Sequence, residues 1–128
     1  MKARNYLASF LFCVAALALA VEKVSVPELV KNGSKYDNKE VQVTASFVGF
    51  QQKTSRAGNK YYTFRLKDGE AVVNGYGRGT LENPPKDGSK ARVTGVYRTE
   101  KKVGTLTFKN EIDCTPVEGK EFGVKSVE

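Results

Sequence analysis

The chain has 128 residues, 21 Lys and Arg against 14 Asp and Glu for a net charge of +7, two Cys and no His. That inventory excludes zinc sites built from Cys and His, Cys-His nucleophiles and Ser-His-Asp triads, because each needs an imidazole. A chain of this length accommodates one compact domain.

Residues 1–20 have the layout of a secretory signal peptide. Lys2 and Arg4 precede an apolar run over 6–19, and Ala18-Leu19-Ala20 has the small-x-small form cut by signal peptidase. The run is shorter than the ~20 residues that span a bilayer, which argues against a retained anchor. Phe12 directly before Cys13 argues against lipid attachment, since lipoprotein signals carry a small residue there. The expected mature chain is periplasmic or secreted, begins near Val21 and has no transmembrane segment. It keeps Cys114 as its one thiol, so no intrachain disulfide can form. Its domain is expected over 21–114, followed by a charged, loosely packed tail over 115–128.

Residues 24–33 predict a short helix, with Ser25 or Val26 at the cap, Pro27 in the first turn and Gly33 past the end. Leu29 and Val30 give it a small apolar face suited to plugging the end of a sheet. Residues 39–52 predict the longest strand, with Val41, Val43, Ala45 and Phe47 inward and Gln42, Thr44, Ser46 and Val48 outward. Phe50 then falls on the outer face unless Gly49 carries a bulge, and a Gly isolated within a strand is a recognised place for one. The loop over 53–60 is polar and basic.

Residues 58–76 predict a hairpin. Tyr62, Phe64 and Leu66 share its inner face, and Tyr61, Thr63, Arg65 and Lys67 its outer face. Asp68-Gly69 signals the tight turn, and 71–76 returns as a strand. Residues 77–88 are rich in Gly and Pro without periodicity and read as a connection. Gly75, Gly77 and Gly79 lack the Gly-Lys-Ser/Thr ending and the following helix of a phosphate loop, and are expected to be backbone bends. Residues 90–98 alternate again, with Ala91, Val93, Gly95 and Tyr97 on one side. Residues 99–104 are expected as a turn, and Leu106 and Phe108 mark a fifth strand that Ile112 and Cys114 extend. Cys114 is expected to be a small buried apolar residue.

Charge is unevenly spread. Residues 53–109 hold thirteen Lys and Arg against five acids, a local balance of +8, while 21–52 are neutral and 110–128 carry −3. Such a field is the footprint of a polyanion partner or of a solubilising surface, and charge alone leaves both open.

Five strands in succession, a long first strand with an internal Gly and a short helix ahead of it point to a small closed all-β barrel. Through VQVTASFVG (41–49), GNKYYTFRLKDG (58–69) and DGSKARVTGVY (87–97), the chain resembles the oligonucleotide/oligosaccharide-binding (OB) fold. It is most similar to small exported OB-fold proteins and anticodon-binding-like OB domains. The likeness covers residues 24–114, and the helix often found between strands 3 and 4 is reduced to the Gly/Pro segment.

The resemblance implies a five-stranded OB-fold barrel with a short N-terminal helix. It also implies a ligand lying across strands 2 and 3, clamped by two loops. The strands would contribute Tyr61, Thr63, Arg65, Asn74 and Tyr76. Lys53, Arg56 and Lys60 would come from the first loop, and Arg98, Lys101 and Lys102 from the second. Outward Tyr can stack on bases while Lys and Arg follow phosphates, although the same residues are also ordinary exposed strand residues.

The expected function is an exported OB-fold binding protein for single-stranded nucleic acid or another polyanion. The alternative is an envelope protein- or glycan-interaction module with no nucleic-acid role, which export favours. A nuclease would need clustered carboxylates, whereas Asp68-Gly69 and Asp87-Gly88 read as turns. No enzymatic activity, cofactor or metal is therefore expected.

Overall fold

In the computed structural model, the described residues are 20–127, the side chain of Phe108 excepted. The expected signal peptide lies outside them but for Ala20. Among the described residues no helix is long and apolar enough to cross a membrane.

The alternation of Val41, Val43, Ala45 and Phe47 builds a single long strand. All four side chains are buried, so one face of the strand is committed to the core. In chain order the elements are β1 (Glu22–Lys23), α1 (Val26–Asn32), a 3₁₀ turn (Gly33–Tyr36), β2 (Glu40–Thr54), β3 (Lys60–Asp68), β4 (Ala71–Arg78), β5 (Lys90–Val103), β6 (Leu106–Asp113) and β7 (Gly123–Ser126). No helix intervenes between β4 and β5.

Strands β2 to β6 close on themselves in the order β2-β3-β4-β6-β5, with β5 returning to β2. Closure is possible because β2 divides its length. Its first part pairs with β5 from Glu40↔Val96 to Ser46↔Lys90, and its second with β3 from Ser46↔Lys67 to Thr54↔Lys60. Within the second part, just past the exchange of partners at Ser46, the register shifts between Val48 and Gln51, and Gly49 sits at φ +68°, a conformation glycine adopts without steric cost. The expected bulge is present, and it turns Phe50 toward the core, 6.2 Å from Phe47 and 6.1 Å from Tyr62 between ring centroids. Asp87 secures the bend by accepting the Gly49 N–H at 3.0 Å.

The inner faces carry an aromatic stack of Phe47, Phe64 and Tyr62, with Phe47 and Phe64 centroids 4.8 Å apart. Room for it comes from β4. Gly75 and Gly77 lie opposite Phe64 and Tyr62, and a Cβ on either would sit within 2.3 Å of the facing ring. Their role is thus to admit rings rather than to bend the backbone. Cys114 is buried beneath, donating to the Tyr76 carbonyl at 3.3 Å and 3.5 Å from the Tyr62 hydroxyl.

Helix α1 caps one end of the barrel. Ser25 accepts the Glu28 N–H at 3.2 Å, and Pro27 occupies the first turn. Its buried pair is Val26 and Leu29; Val30, expected inward, is 50% exposed. A helix this short presents i and i+3 to one surface, and Val30 lies one residue around from that stripe.

Two further expectations are corrected. Residues 99–104 are not a turn: β5 continues to Val103 and pairs with β6 out to Val103↔Leu106, leaving Gly104 and Thr105 as the turn. This two-stranded arm extends past the core, and Leu106 on it is 61% exposed. The tail is not loose. β7 pairs with β5 from Ala91↔Ser126 to Thr94↔Gly123, Val124 packs on the core, and Lys120 reaches Glu40 at 2.8 Å.

Gly75→Ala is expected to destabilise the barrel by roughly 1–3 kcal/mol through overpacking against Phe64. A lower denaturant midpoint at unchanged slope would show it. Burial also pushes the Cys114 thiol up to about 12 from its ordinary 9.0. The fold then holds a proton that the unfolded chain releases, so this stabilisation is complete below pH 9 and lost as pH rises toward 12. Native Cys114 should resist iodoacetamide at mildly alkaline pH and react once denaturant is added, with peptide mapping separating it from Cys13.

A basic groove bearing two tyrosines as the candidate binding site

The β3–β4 hairpin has a buried face and an open one. Because Tyr62, Phe64 and Leu66 are anchored in the core, Tyr61, Thr63 and Arg65 must point outward. The register sets Tyr61 opposite Arg78, Thr63 opposite Tyr76 and Arg65 opposite Asn74. The rings of Tyr61 and Tyr76 are therefore diagonal neighbours, with centroids 5.9 Å apart and planes inclined by 35°.

This face forms the floor of an open groove of about 1170 Å³, lined also by the end of β2, the β2–β3 loop and the β5–β6 arm. The loop carries Arg56 on a turn of its own, in which the Gly58 N–H donates to the Ser55 carbonyl at 2.9 Å and the Ser55 N–H to that of Asn59 at 2.8 Å. Arg65 lies across the bulge in β2. A Cβ at Gly49 would meet its guanidinium at 3.0 Å, so the missing side chain makes room for the Arg65 charge.

Seven cationic side chains line the groove: Lys53, Arg56, Lys60, Arg65, Arg78, Lys101 and Lys109. Among the described lining residues the one carboxylate is Glu111, 6% exposed. Lys101 Nζ lies 2.8 Å from Glu111 Oε1 and 3.9 Å from the centroid of the Tyr76 ring. The ammonium is held by a carboxylate and an aromatic face together. With that pair neutralised, the remaining charge in the groove is positive, and its concave walls concentrate the field. Among the described residues no group of His, Cys, Asp and Glu is placed to hold a metal ion.

Nine of the residues expected from sequence meet here: Lys53, Arg56, Lys60, Tyr61, Thr63, Arg65, Asn74, Tyr76 and Lys101. Arg98 and Lys102 do not line the groove. Lys101 and Lys102 are consecutive in a continuous strand and so cannot both face it, and Lys102 instead approaches Glu100 at 3.8 Å. Arg98, on β5, is the register partner of Glu111, yet its side chain is not among those lining the groove. Arg78 was legible, since it continues the alternation of Asn74 and Tyr76. Lys109 and Glu111 were not, because they reach the groove through the parallel pairing of β6 with β4, which no local pattern signals.

No protein-family profile and no curated protein sequence matches the chain. Solved structures do. The OB domain of Ta0387 from Thermoplasma acidophilum is 15% identical with a TM-score of 0.52, over 83% of this chain and 87% of that one. A Klebsiella pneumoniae lipoprotein provisionally described as nucleic acid-binding is 19% identical with a TM-score of 0.52, over 89% and 96%. The structure of yeast Stn1 and Ten1 matches at 9% identity with a TM-score of 0.58, over 86% of this chain but only 64% of that one. At these identities the likeness is one of fold: the barrel is an OB fold.

Proposed function

From the OB fold as premise, we propose that this chain is a non-enzymatic binding protein for single-stranded nucleic acid or another flexible polyanion. The observation that carries the proposal is the convergence of seven cationic side chains and the Tyr61–Tyr76 pair on one open groove. The groove lies across β3 and β4, where OB ligands usually run.

In this reading the tyrosines offer stacking surfaces to successive bases, each worth roughly 1–3 kcal/mol, and Lys and Arg follow the phosphates. Arg65 and Arg78 flank the rings on the strands, while Arg56 and Lys60 close in from the loop. A binding role rather than a catalytic one is supported by Glu111, the carboxylate of the groove, being ion-paired with Lys101. Export is part of the proposal, supported by the signal-like residues 1–20 and the likeness to a lipoprotein. A second reading, an envelope protein or glycan as ligand, draws support from Val103 and Leu106, which line the same groove and are 54% and 61% exposed.

Titration of a labelled single strand should give an affinity that falls about a hundredfold between roughly 50 and 200 mM salt if about five phosphates are neutralised. Tyr61→Ala or Arg65→Ala should weaken binding roughly 5- to 150-fold, the span of one lost stacking contact. Lys102→Ala should stay within about twofold, the small effect of an exposed charge already paired with Glu100. No binding at low salt would reject nucleic acid, and a partner recovered from envelope extract after nuclease treatment would favour the second reading.

A further inference from the structure

Glu111 is the member of the groove that polyanion binding does not use. A carboxylate among phosphate-following cations weakens their attraction for phosphate, and its burial carries a desolvation cost. Yet Glu111 is held in the wall by pairing on both sides, opposite Asn74 on β4 and opposite Arg98 on β5. It is 6% exposed, and its Oε1 has the Lys101 ion pair but no directed hydrogen bond. Lys101 links it to the ring of Tyr76, against which a base would stack.

A carboxylate offers two oxygens and about four lone-pair sites, of which Lys101 engages one; it accepts hydrogen bonds and donates none. Single-stranded bases present their Watson–Crick edges to such groups. Guanine sets N1–H and the N2 amine side by side, so two donors converge on Oε2, Oε1 being buried against Lys101. Cytosine and adenine offer one amine beside an acceptor nitrogen, and thymine one N–H between two carbonyls that a carboxylate repels.

Resting on the single-strand function proposed above, we infer that Glu111 is a base-selecting residue, accepting hydrogen bonds from the donor edge of a base held at Tyr76, with guanine preferred and thymine disfavoured. The cations then set how tightly a strand binds, and Glu111 sets which strand.

The test compares single strands of about 12 nucleotides, within the span of one OB domain, at low salt. One is all thymine, one alternates thymine with guanine, and one alternates thymine with inosine, which lacks the N2 amine. The guanine strand should bind about tenfold tighter than the thymine strand, with inosine between them. Glu111→Gln should weaken guanine binding and strengthen thymine binding, because a negative charge leaves the groove, bringing the ratio near one. Equal affinities in the native protein, an unchanged ratio in the variant, or equal weakening of every strand would overturn the inference while leaving the single-strand function standing. Binding of no strand would overturn that function as well. A thermal melt establishes that the variant is folded, and if it is not, the native ranking of the three strands decides alone.

Discussion

The bend in β2 at Gly49 is the constraint on which both the closure of the barrel and the shape of its groove depend. A flat strand of that length would continue in one sheet. Here the pairing with β5 ends at Ser46, where that with β3 begins, and the register shift between Val48 and Gln51 bends the strand just past that exchange, so its two halves serve different partners. The same glycine leaves the space in which the Arg65 guanidinium lies, and Asp87 from the β4–β5 connection holds its N–H. A single residue thus couples the architecture to the placement of a charge at the candidate site.

Behind the groove the packing is set by size. Glycines on β4 admit the rings of Phe64 and Tyr62, and those rings, once buried, decide which way Tyr61, Thr63 and Arg65 must point. The β2–β3 loop and the β5–β6 arm add charge from outside the barrel, and the arm brings Lys101 onto Tyr76 and Glu111. Positive charge in the groove is spread over many cations. Any selectivity must come from the few groups that are neither cationic nor apolar.

Local pattern made most of this fold legible. Period-two alternation in β2, β3 and β5 predicts the buried residues there, and the isolated Gly49 predicts the bulge. Alternation failed where the core ends: the β5–β6 arm has a strand's register without a strand's buried face, so residues 99–104 read as a turn. It also failed where pairing is long-range. The strand at Gly123–Ser126 is visible only as a partner for the free side of β5, and Glu111 joins the groove only because β6 runs parallel to β4. The choice among basic residues of the second clamp needed that register too, since Lys101 and Lys102 are equivalent in composition and opposite in direction.

A single strand is proposed to bind on one face of the barrel, the β3–β4 groove. Amide chemical-shift mapping during titration with a short single-stranded oligonucleotide tests it most directly. Perturbations should gather on residues 55–65, 74–78 and 99–111 and leave the β2–β5–β7 face unmoved. Shifts concentrated on that opposite face, or none at saturating oligonucleotide, would exclude the groove as the binding surface.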